Sequence, residues 1–211
     1  MAIGKNGING SFKGKIGNVV GYHLNGQQVI RSTPRKRTSQ PSAKELLNRL
    51  KFSVSQRWLA PLTDFLRIGF KDYQPTYEGF VAAKSYNQKN AMVYEEGKGV
   101  FINPALALVS FGTQVLPLSA SAVAGKDQRV IFTWSTEVPA AYNDQSMLVA
   151  YDIENQKVSY NAAASPRNSG IATLKLAKED QGKTFHLYLA FIANDRSAKS
   201  NSRYLGSVVI I

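Results

Sequence analysis

Short β segments separated by turn residues occupy the second half of the chain, and they constrain its fold more than any other feature. Seven such segments are predicted, at 115–122, 129–135, 147–153, 157–161, 171–176, 184–193 and 204–211. The clearest period-two alternation of apolar and polar residues is carried by Val130, Phe132 and Trp134, and by Phe185, Leu187, Leu189 and Phe191. The pattern predicts a β-sandwich over residues 113–211, in which one face of each sheet is buried.

The number of predicted strands indicates which type of β-sandwich to expect. Seven short strands in roughly 100 residues are typical of immunoglobulin-like and fibronectin-like domains. Residues 176–188 resemble the corner between the fifth and sixth strands of such domains. The 211-residue chain contains no cysteine, so it has neither the immunoglobulin disulfide nor a thiolate site. Fibronectin type III is therefore the nearer comparison.

The N-terminal residues are rich in glycine, which recurs every three or four positions between Gly4 and Gly21. Asn25-Gly26 favours a tight turn, which predicts a β-hairpin of residues 19–24 and 27–31. Two interpretations of the preceding residues remain open. They are a flexible leader that becomes ordered when residues 16–30 pair, or an arm that adds a strand to a neighbouring subunit.

Helices are predicted between the hairpin and the C-terminal strands. Ser42 and Glu45 form a capping box, which opens a helix with apolar positions Leu46, Leu47, Leu50, Val54 and Trp58. Pro61 begins a second helix, whose predicted buried side is Leu62, Phe65, Leu66 and residues 68–70. Residues 78–92 are predicted to be helical, and residues 105–111 to form a strand. The expected fold class is α+β, with a basic hairpin and helical unit at 1–112 and a fibronectin III-like β-sandwich at 113–211.

Positive charge is concentrated at one end of the chain. Residues 1–57 contain 11 Lys and Arg and one acid, a net charge of +10, whereas residues 58–211 carry 15 bases and 13 acids, a net charge of +2. The predicted polyanion-binding or partner-binding residues are Arg31, Arg35, Lys36, Arg37, Lys44 and Lys51. Such clusters attract nucleic acid or an acidic protein surface. The alternative is a solvated linker whose arginines pair with acidic faces of neighbouring subunits.

No catalytic motif accompanies this charge. The two histidines, His23 and His186, are predicted to be solvent-facing strand residues without metal-ligand spacing. Acidic pairs occur beside turns, where solvated charge is ordinary; they are Glu95-Glu96, Asp152 with Glu154, and Glu179-Asp180. The sequence therefore predicts no enzyme, no catalytic or metal-binding residues and no cofactor.

The sequence also predicts no targeting signal. The N-terminal residues contain no apolar core of a signal peptide, and no stretch approaches the roughly 18 apolar residues of a membrane span. We therefore expect a protein that is cytoplasmic, particle-associated or exported by a non-standard route.

Several short motifs resemble a family of uncharacterised bacterial proteins known mainly from Bacteroidetes. The motifs are Phe12-Lys13-Gly14-Lys15-Ile16-Gly17-Asn18-Val19-Val20-Gly21-Tyr22, Val29-Ile30-Arg31-Ser32, Asn48-Arg49-Leu50-Lys51-Phe52, and residues 102–112. In that family a glycine-rich hairpin leads into Arg-Ser and a helix, and a β region follows at the C-terminal end. The resemblance implies this organisation and no known activity.

Three functions are consistent with these features. The first is a non-enzymatic structural or assembly protein, cellular or phage-like, that forms a homo-oligomer through its glycine-rich arm. The second is a non-specific nucleic-acid or polyanion binder. The third is a surface module that binds glycans or proteins, for which the candidate aromatic platform is Tyr142, Tyr151, Tyr160 and Tyr188.

Overall fold

The chain divides into two compact units, Met1–Ser42 and Ala43–Ile211. The computed structural model describes residues 3–4, 10–24, 26–71, 73, 79–137 and 143–211. Both units contain antiparallel sheets, and the second also contains helices. The α+β class expected from the sequence is therefore confirmed.

The first unit is a single antiparallel sheet with strand order β1-β2-β3-β4. Its strands are β1 (Ile3–Gly4), β2 (Phe12–Ile16), β3 (Val19–Leu24) and β4 (Gln27–Ser32). The predicted hairpin is confirmed, because Val19 pairs with Ser32 and Leu24 pairs with Gln27. Gly26 has φ +79°, which suits the predicted turn, whereas Asn25 lies outside the described residues. Strand β2 pairs with β3 of the same chain, so the glycine-rich start contributes to its own sheet.

The helices of the second unit match the predicted segments. They are α1 (Ala43–Leu59), α2 (Thr63–Gly69), which follows a 3-10 turn at Ala60–Leu62, and α3 (Gly79–Asn90). Leu62, Phe65, Leu66 and Phe70 are buried as predicted. None of the helices in the described part of the chain is long and apolar enough to cross a membrane.

Helix α1 departs from the prediction in its first half. Leu46, Leu47 and Leu50 are 52%, 42% and 49% exposed, whereas Trp58 and Leu59 are buried. The apolar spacing is helical throughout, but only Val54, Trp58 and Leu59, near the end of α1, pack into the core cluster. The first three leucines therefore lie on the surface rather than in the core.

Among the residues that the structure describes, nine strands follow in the second unit, and seven of them correspond to the predicted segments. A hairpin of β5 (Met92–Glu95) and β6 (Gly99–Ile102) comes first. A three-stranded sheet, in the order β11-β8-β7, contains β7 (Ala120–Ala124), β8 (Arg129–Trp134) and β11 (Ile171–Lys175). A four-stranded sheet, in the order β10-β9-β12-β13, contains β9 (Gln145–Asp152), β10 (Lys157–Asn161), β12 (Thr184–Ile192) and β13 (Arg203–Val209).

The two central strands of the four-stranded sheet, β9 and β12, are buried on both faces. Alternate residues of β12, among them Leu187 and Leu189, share a core cluster with Phe132 and Leu174 of the three-stranded sheet. The intervening residues, Tyr188, Ala190 and Ile192, belong to a second cluster that contains Trp58, Phe65 and Phe70 of the helical segment. The second unit thus has three layers, with the four-stranded sheet in the middle.

Residues 105–111 do not form the predicted strand. Three of their backbone amides bond to side chains or to a helix end instead of to a neighbouring strand. The amide of Leu108 donates to Asn87 Oδ1, that of Val109 to Ser202 Oγ, and that of Phe111 to the carbonyl of Gly69. The apolar run is therefore a buried connection, which local periodicity does not distinguish from a strand.

The division predicted after residue 112 stays a prediction, because nothing in the structure measures whether those two segments fold independently. The structure does show that the residues on both sides of that position share one core cluster. The compact units divide after Ser42.

Candidate functional site

The N-terminal sheet has one face that combines cations with an aromatic ring. Strand register places Lys15, Val20 and Arg31 side by side, and Lys13 and Tyr22 lie two residues further along the same face. The Arg31 guanidinium carbon lies 5.4 Å from the centroid of the Tyr22 ring. We call this surface the basic face; it contains Lys13, Lys15, Val20, Tyr22 and Arg31, and the apolar residues Leu24 and Val29 lie on it as well. It offers positive charge and a ring together, which are the features that bind nucleic-acid backbones and bases.

The opposite side of the same sheet combines apolar side chains with the polar side chains of His23, Gln28 and Ser32. Phe12, Ile16, Val19 and Ile30 lie on it, and we call this surface the apolar face. A Cβ atom at Gly21 would lie 2.6 Å from the Phe12 ring, so only glycine allows the ring to cross the middle of the sheet. The described part of this face carries no Lys, Arg, Asp or Glu.

Both faces are open. Gly21 is the one buried residue among those described between 3 and 42. Ile16 and Ile30, on the apolar face, are 54% and 58% exposed. A single sheet normally buries one face against another layer, whereas this sheet leaves Ile16 and Ile30 more than half exposed to solvent.

The six residues predicted to bind a polyanion or partner fall into both compact units. Arg31 lies on β4, and Arg35, Lys36 and Arg37 follow it in an exposed segment without regular secondary structure. Arg37 Nε donates a 2.8 Å hydrogen bond to the carbonyl of Ser39. Lys44 and Lys51 are exposed on α1 in the second unit. Their assignment as binding residues stays a prediction.

Lys51 lies beside a shallow groove between α1 and α3. The groove is also lined by Phe52 and by residues of α3 such as Gln88 and Lys89. Lys84 Nζ lies 3.1 Å from the centroid of the Phe52 ring and donates a 2.7 Å hydrogen bond to Gln56 Oε1. Burial lowers the pKa of Lys84. These contacts make Lys84 a structural cation that supports the exposed Phe52 ring.

His186 and two of the acidic residues are not solvent-facing, contrary to the prediction. His186 is half-buried, and its Nδ1 lies 2.8 Å from the Tyr204 hydroxyl. Asp152 is buried and accepts a hydrogen bond from the Asn155 amide. Asp180 is fully buried and accepts hydrogen bonds from Lys157 Nζ and from the Ala177 amide. Strand alternation at His186, and the nearby turns at the two acids, did not reveal that other elements cover these positions.

The buried acids have structural partners. Burial raises the pKa of Asp180, but the hydrogen bonds from Lys157 and from the Ala177 amide outweigh burial and lower that pKa overall. No group of three or more His, Cys, Asp or Glu residues in the described ranges could hold a metal ion. His23 is exposed on β3, as predicted.

The candidate aromatic platform is only partly available. Tyr151 and Tyr188 are fully buried, and their hydroxyls donate to the carbonyls of Trp58 and Pro104. Tyr160 is 39% exposed, and Tyr142 lies outside the described residues. Two of the four rings therefore belong to the core.

A cleft missed by the sequence analysis lies in the second unit, between α1, β6 and the β9–β10 turn. We call it the α1–β9 cleft, and its volume is about 660 Å³. Its apolar walls include Val54, Trp58, Phe101, Tyr151 and Ile153, and its charged or titratable residues are Arg57, Lys98, Glu154 and His186. No short motif predicts this site, because its residues come from four separated segments.

Together these features define an α+β protein with an open, two-faced N-terminal sheet and a layered second unit that contains a cleft. The chain belongs to a family of unknown function, DUF6266, whose model matches residues 11–206. The resemblance found in the sequence is thereby confirmed as family membership, and the family carries no assigned activity. Among curated proteins, no sequence matches this chain.

Proposed function

We propose that the protein is a non-enzymatic structural or assembly protein, which forms a homo-oligomer or particle through its N-terminal sheet and its C-terminal sandwich. The observation that carries this proposal is the open apolar face of the N-terminal sheet. Ile16 and Ile30 are more than half exposed there, although each would contribute roughly 1.5–3 kcal/mol if it were fully buried. A partner that covers this face would supply the missing layer.

The charge distribution favours a second copy of the chain as that partner. The chain has a formal net charge of +12, so two copies that approach through basic surfaces repel each other. The apolar face carries no charged residue in its described part, whereas the basic face carries Lys13, Lys15 and Arg31. Self-association through the apolar face therefore keeps the cations apart and exposed to solvent.

We also propose that the seven C-terminal strands form a sandwich of the immunoglobulin and fibronectin III type. Strand order supports this assignment. The first, second and fifth of the seven strands share one sheet, and the third, fourth, sixth and seventh share the other. The fourth strand, β10, pairs with the third, β9, as expected for the fibronectin variant. Sandwiches of this type commonly act as assembly or binding modules, which agrees with the proposed role.

The proposal is tested by removing residues 1–33. The full chain and the truncated chain are compared by size-exclusion chromatography with light scattering, at low and at high salt. We expect the full chain to form a salt-resistant oligomer free of nucleic acid, and the truncated chain to lose that assembly while its second unit stays folded by circular dichroism. An oligomer that is unchanged by the truncation would contradict the proposal.

A second function, non-specific binding of nucleic acid or another polyanion, is favoured by the basic face. Arg31 lies over the Tyr22 ring, and the exposed Arg35, Lys36 and Arg37 follow Arg31 along the chain. This arrangement suits contacts with a phosphate backbone and stacking of a base without sequence readout. Absorbance at 260 and 280 nm in the same chromatography distinguishes the two functions. Nucleic acid that co-elutes at low salt and leaves a monomer at high salt would favour the second.

A further inference from the structure

We propose that the groove between α1 and α3 binds single-stranded nucleic acid, with a base stacked on Phe52 and backbone phosphates beside Lys51 and Lys89. This inference rests on the proposed polyanion-binding function and gives it a site in the second unit, separate from the basic face. We call the site the α1–α3 groove. Its volume is about 410 Å³, which lies within the range of about 300–1,000 Å³ found for small-molecule sites.

The charged side chains that line the α1–α3 groove are all positive. The lining residues include two lysines and no acid; they are Asn48, Lys51, Phe52, Ser85, Gln88 and Lys89. Lys51 and Lys89 are exposed, and neither forms an ion pair with any residue that the structure describes. No lining carboxylate offsets them, so the groove favours an anion.

The two helices that form the groove are themselves basic. Helix α1 contains four Lys or Arg and one acid, Glu45, whose carboxylate is paired with Arg49 at 2.7 Å. Helix α3 contains two lysines and no acid. The excess of positive charge therefore extends along both walls of the groove, as contacts with successive phosphates require.

Phe52 provides a stacking surface in the groove. It is 58% exposed, although it is a large apolar residue. Lys84 Nζ lies 3.1 Å from the ring centroid and covers one face of the ring. The other face is left for a base, and every base has a π-face that can stack. An exposed ring beside two cations favours nucleic acid over an acidic peptide, because carboxylates bind cations but do not stack.

Hydrogen bonds between the two helices hold the groove in shape. Gln88 Nε2 donates a 2.6 Å hydrogen bond to Ser55 Oγ, and Ser55 is fully buried. The Ser55 hydroxyl in turn donates to the carbonyl of Phe52 at 3.0 Å. A second link joins Lys84 Nζ to Gln56 Oε1 at 2.7 Å. Because α1 and α3 are connected at two points close to Phe52, little rearrangement of the groove is needed when a strand binds.

Photo-crosslinking locates the contact directly. The full chain is irradiated with a short oligothymidylate that carries 5-iodouracil, a base that crosslinks to aromatic side chains stacked on it. Trypsin then releases Phe52 in the peptide 52–57, which contains no other aromatic residue, and Tyr22 in the peptide 16–31. We expect the peptide 52–57 to carry the crosslinked strand. Crosslinks confined to the peptide 16–31 would overturn the groove and would leave the polyanion function with the basic face.

Matched variants test the two lysines. We expect Lys51→Gln and Lys89→Gln together to reduce the slope of log K against log salt by roughly 1.4, because each phosphate contact on a single strand contributes about 0.7. Lys126→Gln and Lys175→Gln together remove the same charge from exposed positions outside the groove and should leave the slope unchanged. Fluorescence anisotropy with a labelled oligothymidylate measures both slopes. Equal slopes in the two double variants would overturn the phosphate contacts.

A further variant, Phe52→Leu, tests the stacking. We expect it to weaken binding of the oligothymidylate roughly tenfold at constant salt. Tyr94→Leu, which removes a 72% exposed ring from β5, should leave binding unchanged. Equal losses in these two variants would overturn the stacking on Phe52, and competition by polyglutamate as strong as that by unlabelled oligothymidylate would overturn the nucleic-acid assignment in favour of an acidic peptide. If the oligothymidylate does not bind at low salt, both the groove and the polyanion function are overturned.

Discussion

The hydroxyl of Tyr151, on β9, donates a 2.8 Å hydrogen bond to the backbone carbonyl of Trp58, near the end of α1. A similar bond joins the Tyr188 hydroxyl of β12 to the carbonyl of Pro104. In each pair a residue of the C-terminal strands anchors a segment that precedes residue 112. These bonds attach the segment of residues 43–104, which we call the helical layer, to the four-stranded sheet. They lie on the face of that sheet that is opposite the three-stranded sheet.

A consequence is that the position of a truncation decides whether the C-terminal strands stay folded. We expect a fragment of residues 43–211 to unfold cooperatively in urea. A fragment of residues 113–211 should lose cooperativity and bind a hydrophobic dye, because it exposes Met147, Val149, Tyr188 and Ala190, which the helical layer covers. Each large side chain so exposed costs roughly 1.5–3 kcal/mol, and a domain is stable by only about 5–15 kcal/mol. Equal urea midpoints for the two fragments would instead support independent folding after residue 112.

The two faces of the N-terminal sheet should respond differently to a new charge. Ile30 and Val29 are neighbours on β4 whose side chains point to opposite faces. We expect Ile30→Lys to dissociate the proposed oligomer, because it places a buried charge in the contact, and Val29→Lys to leave it intact. Light scattering measures both. Dissociation by Val29→Lys alone would assign the contact to the basic face.

Polyanion binding, if it uses the segment after β4, should depend on three adjacent cations. We expect Arg35→Ala, Lys36→Ala and Arg37→Ala together to weaken binding of a short labelled single-stranded DNA and to reduce the salt slope by roughly 2. The control removes the same charge elsewhere, through Lys126→Ala, Lys175→Ala and Lys178→Ala, which alter exposed residues of the second unit. Fluorescence anisotropy across a range of salt concentrations measures both. Equal losses in the two triple variants would mean that net charge alone governs binding.

Acid stability should depend on Asp180. The pKa of Asp180 in the folded chain is lowered below the ordinary value of about 3.9. Its contribution to stability is therefore complete above about pH 3.9. The contribution disappears as the pH falls through the lower pKa of the folded state. We expect Asp180→Asn to reduce the free energy of unfolding by about 2 kcal/mol near pH 7, and by progressively less below about pH 3.9. Urea titrations at several pH values measure the difference.

The control for this prediction is Asp64→Asn. Asp64 forms an exposed pair with Arg67, whose two side chains are 74% and 68% exposed. We expect this variant to change stability by less than about 0.5 kcal/mol at any of these pH values. A loss at Asp180 that does not vary with pH would show that shape or hydrogen bonding, and not charge, carries the effect.

Local patterns were sufficient to predict much of the secondary structure. The Asn25-Gly26 turn gave strands 19–24 and 27–31, and the observed strands are Val19–Leu24 and Gln27–Ser32. Strand β10, at Lys157–Asn161, has the bounds that were predicted. Turn residues, helix caps and period-two alternation act over a few neighbouring positions, so they can be read from the chain itself.

The site residues were less predictable, because their surroundings come from distant parts of the chain. Trp58 was expected to be buried, but nothing in its neighbourhood indicated that Phe101, Ile153 and His186 would line the same cleft. The basic residues could be named from charge alone. Which of them share a face with Tyr22 depends on the register of three strands.

The sequence by itself determined the three helical segments, the seven C-terminal strands, the position of the hairpin and the concentration of positive charge at one end. Only the tertiary structure decided that β12 is buried on both faces, that Leu46 and Leu50 stay on the surface, and that Asp180 lies in the interior. The physical reason is that periodicity records which residues share one side of an element. What covers that side depends on long-range packing, in which the helical segment lies over a sheet formed almost 100 residues later.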